Sequence, residues 1–168
     1  MGHHEHRANT AGSLDVAVLS ISTTRSLETD ESGLWIAHRT AEAGHRVVAH
    51  EVVTDAVDAI RRRLRGIITT HSPHALITTG GTGISPRDVT IEAVKPLFSK
   101  ELTAFPTLFA HLSYAEIGAA ALLSRAAAGI IGGTVVFNIP GSLNACRLAC
   151  TELIFPELGH LIRHTLES

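Results

Sequence analysis

Three short apolar runs in the first half of the chain, each followed by a helical pattern, set the strongest constraint on its fold. The runs are LDVAVLSI (14–21), HRVVAHEVV (45–53) and HALITT (74–79). They are short, rich in β-branched residues and bounded by turn residues, which is typical of buried strands. Strands that alternate with helices predict right-handed βαβ units and a mainly parallel sheet.

Apolar residues recur at helical spacing between and after these runs. The predicted helices lie at 33–43, through 60–68, from 88 onward, from about 102 to 123 with an interruption near Ser113, and after 142. Thr54 or Asp55 is available to cap the second helix, and Asp88 or Thr90 is available to cap the third. Aromatic residues make up only 4% of the chain against 45% hydrophobic residues, so aliphatic side chains must form most of the core.

The second half contains a hairpin signal. The segments AAAGII and TVVFNI flank Gly132-Gly133, a typical two-residue hairpin turn, which adds an antiparallel strand at one side of the sheet. The length of 168 residues fits one domain, and no internal repeat or linker is visible. We therefore predict one α/β domain over residues 13–168 behind a flexible N-terminal arm, residues 1–12.

Composition argues against several classes of function. The formal net charge of -2 does not suggest a nucleic-acid-binding surface, and the basic run at 61–65 fits a solvated helix face. No apolar run approaches the roughly 20 residues that span a membrane, and the polar N-terminus lacks the apolar stretch of a signal peptide. A cytoplasmic protein without membrane or nucleic-acid partners is expected. Cys146 and Cys150, four residues apart, fit small buried side chains better than a disulfide or a metal pair.

The histidines do not form an obvious ligand set. His3, His4 and His6 could bind a transition metal, but a flexible tail explains them more simply. His71 and His74 flank the start of the third strand, away from any site at its end. The others show no shared ligand spacing and are expected on the surface or in packing: His38, His45, His50, His111, His160 and His164.

The most informative motif is TTGGTGISPRD, residues 78–88, directly after the third strand. Ligands of open α/β sheets bind beyond the carboxyl ends of the strands. Glycines let backbone N–H groups approach an anion, and a following helix adds the positive end of its dipole. The stretch 80–83 is thus a candidate phosphate cradle, although glycines also serve tight turns. It is neither a Walker loop, which needs a lysine, nor a dinucleotide fingerprint, which needs glycine where Pro86 stands.

Two carboxylates are predicted close to this loop. Asp88 ends the motif, and Asp55 follows the second strand, so both should lie at the same edge of the sheet. A carboxylate beside a phosphate is unfavourable unless a cation lies between them, and Mg²⁺ is the usual mediator. The pair indicates metal-assisted phosphoryl or nucleotidyl transfer. Alternatively, Asp88 caps the following helix or pairs with Arg87.

At this level of detail the chain resembles the MoaB/Mog family of molybdenum cofactor biosynthesis proteins, and the MoaB branch in particular. The similarity covers nearly the whole chain after the N-terminal arm. The segments that carry it are LSISTTR (19–25), DESG (30–33), VVTD (52–55), TTGGTGISPRDVTIEAVKPL (78–97), LSYAEIGAAALLSRAAAGIIGGTVVFNIPGS (112–142) and PELGHL (156–161). Two departures from the family pattern are Ile91 and Leu143, which stand where proline is common.

The resemblance implies a three-layer α/β/α sandwich that forms homotrimers or homohexamers, and contacts with other proteins of the pathway. It implies molybdopterin as substrate, ATP as co-substrate and Mg²⁺, with transfer of AMP to the terminal phosphate of molybdopterin. Asp88 and Asp55 match the catalytic and metal-binding acids. The residues that match substrate- or nucleotide-binding positions are Ser20, Ser22, Thr79, Gly80, Gly81, Thr82, Gly83, Pro140, Gly141 and Ser142.

Two other functions remain open at this point. Some MoaB-branch proteins are not competent adenylyltransferases, so a catalytically silent molybdopterin-binding or scaffold protein is the first alternative. A nucleotide-binding regulatory module is the second. The stripe Phe105, Leu108, Phe109 and Leu112 fits core packing, although in the family this region also takes part in oligomer contacts.

Overall fold

The computed structural model describes residues 12–167, so the predicted N-terminal arm lies outside the described residues except for Gly12. Within these residues, six strands form one sheet in the order β2-β1-β3-β6-β5-β4. The strands are β1 (Asp15–Ile21), β2 (Arg46–Val53), β3 (Ala75–Thr79), β4 (Lys100–Glu101), β5 (Ala127–Ile131) and β6 (Thr134–Ile139). Strands β2, β1, β3 and β6 are parallel, whereas β5 runs antiparallel to both of its neighbours. The predicted mainly parallel sheet with one antiparallel strand is confirmed.

In the described part of the chain, six α-helices cover the two faces of this sheet. They are α1 (Glu31–Glu42), α2 (Val57–His71), α3 (Thr90–Val94), α4 (Ala104–Ile117), α5 (Leu143–Ala149) and α6 (Phe155–Leu166). A π-helical turn over Cys150–Ile154 joins α5 to α6, so the single predicted last helix is continuous but locally widened. The predicted break near Ser113 is wrong. Helix α4 runs on to Ile117 and ends at Gly118, whose φ of 62° stops it, and a 3₁₀ segment follows.

The core lies on both sides of the sheet because alternate strand residues point to opposite faces. On one face, Val16 and Val18 of β1 pack in a cluster that includes residues of α1, α4, α5 and α6. On the other face, Ala17 and Leu19 pack in a cluster with residues of α2 and α3. The result is the predicted three-layer α/β/α sandwich. Within residues 12–167, none of the helices has both the length and the apolar character needed to cross a bilayer.

The predicted helix caps are wrong. Helix α2 begins after Ala56 and α3 after Val89, and neither cap residue makes a side-chain capping bond. Two of the predicted cap residues bond to the preceding glycine loop instead. The Thr90 hydroxyl donates to the carbonyl of Gly80 at 2.8 Å, and the Asp88 carboxylate accepts from the amide of Ser85 at 2.9 Å. The two cysteines are buried free thiols, as predicted.

Candidate functional site

A cleft of about 620 Å³ opens at the carboxyl edge of the parallel strands. Its lining includes residues 20–25 at the end of β1 and just beyond it, Asp55 after β2, residues between 79 and 88 at the end of β3 and beyond it, and residues 140–142 after β6. The predicted site residues that line it are Ser20, Ser22, Asp55, Thr79, Gly80, Gly81, Thr82, Gly83, Asp88, Pro140, Gly141 and Ser142. The structure therefore brings all of them to one place.

Strand register explains this convergence. Ser20 of β1 is paired with Thr79 of β3, and Thr79 is paired with Ile139 of β6, so three loops leave the sheet at the same level. Two hydrogen bonds then hold the loops after β3 and β6 together. The Thr79 hydroxyl donates to the Pro140 carbonyl at 2.9 Å, and the Gly80 amide donates to the Ile139 carbonyl at 3.0 Å.

The backbone of this loop requires glycine at two positions, and three of its N–H groups are free to donate hydrogen bonds. Gly80 and Gly81 have φ values of 100° and 65°, which L side chains rarely adopt, and a Cβ on Gly80 would overlap the Ile21 carbonyl oxygen. The Gly80 amide is already used within the fold. Across the described part of the chain, by contrast, the amides of Gly81, Thr82 and Gly83 have no hydrogen-bond acceptor. These three N–H groups are available to an anion in the cleft.

The two predicted carboxylates flank this loop. Asp55 Oδ1 lies 3.2 Å from the position that a Cβ of Gly81 would take, and Asp88 packs directly against Gly83. Both side chains are half-buried. Among the ion pairs of residues 12–167, none joins Asp88 to Arg87, so that alternative role of Asp88 is wrong. The arrangement suits Mg²⁺, which is usually held by one or two carboxylates together with substrate phosphate oxygens.

Arg125 is a site residue that sequence patterns did not reveal. It lies just before β5, and its Nε donates to the carbonyls of Thr82 and Gly83 at 2.9 and 3.1 Å. Its terminal nitrogens form a bidentate pair with Glu92 of α3, at 2.5 and 3.2 Å. This pair lowers the pKa of Glu92 and raises that of Arg125, because each charge is hydrogen-bonded to its opposite. Arg125 thus ties the far side of the glycine loop to α3.

A second unpredicted feature is a buried polar network in the cleft wall, which both Asp30 and Ser20 line. Asp30, fully buried, caps α1 by accepting from the Gly33 amide at 3.0 Å. Its other oxygen accepts from the Ser20 hydroxyl at 2.5 Å and contacts His50 Nε2 at 2.9 Å. Ser20 therefore lines the cleft, but its hydroxyl is bonded inward. Burial by itself would raise the pKa of Asp30; the hydrogen bonds from His50, Ser20 and Gly33 outweigh it and lower the pKa.

The lowered pKa of Asp30 predicts that the parent and an Asp30→Asn variant differ in stability by an amount that depends on pH. The ionised Asp30 stabilises the fold above the unfolded-chain pKa of about 3.9, and the contribution is lost as the pH falls through the lower folded value. Asp30→Asn should therefore lower the free energy of unfolding at pH 7 by about 1.5–3 kcal/mol. Urea unfolding between pH 3 and 7 should show this difference shrinking below about pH 4. Glu31→Gln, at the exposed neighbouring position, is the control, and a pH-independent difference would contradict the assignment.

Other residues around the cleft contribute a helix cap and two positively charged side chains. Ser142 caps α5 by accepting from the Ala145 amide at 3.3 Å, and the Ser32 hydroxyl donates to the Gly141 carbonyl at 2.8 Å. Two exposed guanidinium groups, Arg25 and Arg87, also line the cleft. Neither arginine was predicted as a ligand group, although Arg25 ends the motif LSISTTR and Arg87 lies in TTGGTGISPRD. Together with the free amides they make this part of the cleft suited to anionic ligands.

The family described as probable molybdopterin binding domain matches residues 17–160. This chain belongs to the MoaB/Mog family. Molybdenum cofactor biosynthesis protein B of Bacillus subtilis (strain 168) is 46% identical over 164 residues, which cover 97% of this chain and 96% of that protein. The sequence similarity thus extends over almost the full length of both proteins.

Solved MoaB structures share the fold. A crystal structure of molybdenum cofactor biosynthesis protein B superposes with a TM-score of 0.90 at 43% identity, covering 93% of this chain and 98% of the other. The tungsten cofactor synthesizing protein MoaB from Pyrococcus furiosus superposes with a TM-score of 0.84 at 36% identity, covering 94% and 99%. The resemblance to the MoaB/Mog family inferred from the motifs is confirmed.

Proposed function

We propose that this protein binds molybdopterin in the cleft and adenylylates its terminal phosphate with Mg-ATP. A phosphate oxygen of molybdopterin attacks the α-phosphorus of ATP, the bond from that phosphorus to the β-phosphate oxygen breaks, and pyrophosphate leaves. The observation that carries the proposal is the placement of Asp55 and Asp88 beside a loop with three free amides, within one cleft. Membership of the MoaB/Mog family supports molybdopterin as the ligand.

The chemical difficulty of this reaction is electrostatic. The attacking phosphate is already anionic and needs no strong general base, but two negatively charged groups must come together. The amides of Gly81, Thr82 and Gly83 would donate to phosphate oxygens, and Arg25 and Arg87 would lower the repulsion at the cleft mouth. Mg²⁺ held by Asp55 and Asp88 would neutralise phosphate charge. In this scheme the two acids position a cation and do not carry protons.

The direct test is pyrophosphate release from ATP by the purified chain, with Mg²⁺ and with or without molybdopterin. Release that requires molybdopterin and yields the adenylylated pterin supports the proposal. Molybdopterin binding in a titration without ATP, combined with no pyrophosphate release, would instead identify a catalytically silent binding or scaffold protein. ATP binding without molybdopterin binding would identify a nucleotide-binding module and overturn the substrate assignment.

We also propose that the protein works as a homo-oligomer, a trimer or a hexamer. Phe105 and Phe109 of α4 are buried as predicted, but Leu108 on the same helix is exposed, so the stripe is not all core. Exposed apolar side chains continue along α4 and the 3₁₀ segment that follows it: Tyr114, Ile117, Leu122 and Leu123. Such a patch is typical of a protein–protein interface. A monomer mass in light scattering would contradict this proposal.

Arg125 should affect the rate of AMP transfer because it holds the glycine loop in place. Arg125→Met removes the donors to Thr82 and Gly83 and frees Glu92, so the loop amides would no longer be held in place. Because displacement of positioned groups by about 1 Å can cost a hundredfold, we expect AMP transfer to fall by about tenfold to a hundredfold. The assay is molybdopterin-dependent pyrophosphate release.

The matched control for this change is Arg46→Met. Arg46 also forms a bidentate pair, with Asp15 at 2.7 Å, but at the opposite edge of the sheet. The Arg46→Met substitution should leave the rate of AMP transfer unchanged. Equal rates in the Arg125→Met variant and the parent would show that Arg125 does not position the loop.

A further inference from the structure

Helix α6 carries two histidines whose side chains meet on its surface. His160 and His164 are four residues apart, and their Nε2 atoms lie 2.9 Å from each other, with ring centroids 4.6 Å apart. The sequence-based expectation placed both histidines on the surface without a shared ligand role; the structure shows that their rings contact each other. Positions i and i+4 of a helix lie on one face, which is the spacing by which helices present two imidazoles to one metal ion.

A carboxylate lies near the Nδ1 atom of each ring. His160 Nδ1 lies 3.2 Å from Glu157 Oε2, and His164 Nδ1 lies 3.5 Å from Glu167 Oε2. A carboxylate on the second ring nitrogen is the usual support of a metal-bound histidine, because it fixes the tautomer with the proton on Nδ1. In the metal-free protein the two Nε2 atoms share a hydrogen bond, in which one Nε2–H donates to the other. A metal ion that binds both nitrogens would take the place of that proton.

The separation of the two nitrogens also suits a metal ion. An ion about 2.0–2.1 Å from each nitrogen, the usual metal–imidazole distance, would see them at an angle of about 90°. This is the angle between neighbouring positions in square-planar or octahedral coordination, which Ni²⁺ and Cu²⁺ favour. The side chains of His160 and His164 are 47% and 65% exposed, so an ion reaches the pair from solvent.

We propose that His160 and His164 form a surface site for a divalent transition-metal ion, with both Nε2 atoms as ligands. The remaining coordination positions are open to water. Across residues 12–167, no group of three or more histidine, cysteine or acidic residues is placed to hold a metal, so the proposed site has two protein ligands. It lies on α6, none of whose residues lines the cleft, and does not depend on the proposed transfer reaction.

The probe is Ni²⁺ in isothermal titration calorimetry at neutral pH. The parent for this experiment is the full chain with His3, His4 and His6 replaced by glutamine, because those histidines would bind Ni²⁺ independently. We expect one saturable Ni²⁺ site in the parent and at least tenfold weaker binding in His160→Gln and His164→Gln. His111→Gln, which replaces an exposed histidine of α4, should bind like the parent.

Two results would overturn the proposal. One is the absence of saturable Ni²⁺ binding in the parent. The other is equal binding by the parent and His164→Gln. Far-UV circular dichroism of each variant checks that α6 remains folded. A second readout is the NMR spectrum of ¹⁵N-histidine-labelled protein titrated with Zn²⁺, where the Nε2 signals of His160 and His164 should shift and those of the other histidines should not.

Discussion

Replacing Asp88 with asparagine should reduce AMP transfer to below about a thousandth of the parent rate while molybdopterin binding stays nearly unchanged. Asparagine has the same shape, and its amide oxygen can still accept the Ser85 N–H bond that shapes the turn. It lacks the negative charge that would hold Mg²⁺ next to the phosphates. The measurements are molybdopterin-dependent pyrophosphate release and a molybdopterin-binding titration.

Asp58→Asn is the control for this variant, because Asp58 is an exposed acid in the first turn of α2 and does not line the cleft. It should keep the full rate. Unreduced transfer by Asp88→Asn would rule out the metal-positioning role of Asp88. Loss of molybdopterin binding together with transfer would show that Asp88 shapes the cleft instead, and a thermal melt of the variant would separate that from unfolding.

Gly80→Ala should be the most destabilising single methyl addition in the site. The φ of 100° at Gly80 costs an L residue about 1–2 kcal/mol. The new Cβ would also overlap the Ile21 carbonyl, which belongs to β1 and cannot move aside, and such overpacking costs about 1–3 kcal/mol more. We expect a loss of about 3 kcal/mol in the free energy of unfolding, measured by urea denaturation.

Variants at two other glycines separate the backbone cost of a positive φ from the cost of overpacking. Gly133, in the β5–β6 hairpin, has a φ of 85°, but a Cβ there would have no neighbour within 4 Å, so Gly133→Ala should show the backbone cost alone. Gly66 lies in α2 with the same open space and no positive φ, so Gly66→Ala should stabilise the protein by about 0.5–1 kcal/mol. If Gly80→Ala cost no more than Gly133→Ala, the packing argument for the loop would be wrong.

Much of the site's location could be predicted from the sequence. Asp55 and Asp88 each follow a strand of a parallel sheet, and the carboxyl ends of parallel strands meet at one edge. That rule places both acids and the glycine stretch in the same cleft without any side-chain coordinates. The hairpin at Gly132-Gly133 was also predictable, since two adjacent glycines favour the positive φ values that a tight turn needs.

The local roles of polar residues were predicted less well. Asp55, Asp88 and Thr90 each stand where a helix cap is common, yet none of them caps a helix by a side-chain bond. Capping preferences describe what a side chain does when only its own helix is present. In this fold the glycine loop lies against all three residues, and for Thr90 and Asp88 a bond to the loop replaces a bond to the helix end.

The order of strands and helices along the chain, the core on both faces of the sheet and the edge at which the cleft opens could be predicted, because they follow from periodicity and chain connectivity. Only the tertiary structure decided that Arg125 holds the loop at Thr82, 43 residues earlier, and that Asp30 meets His50 across the cleft wall. It also decided that the Ser20 hydroxyl turns inward to Asp30. Such contacts depend on how distant segments pack, and no local pattern of residue types encodes the direction of a side chain.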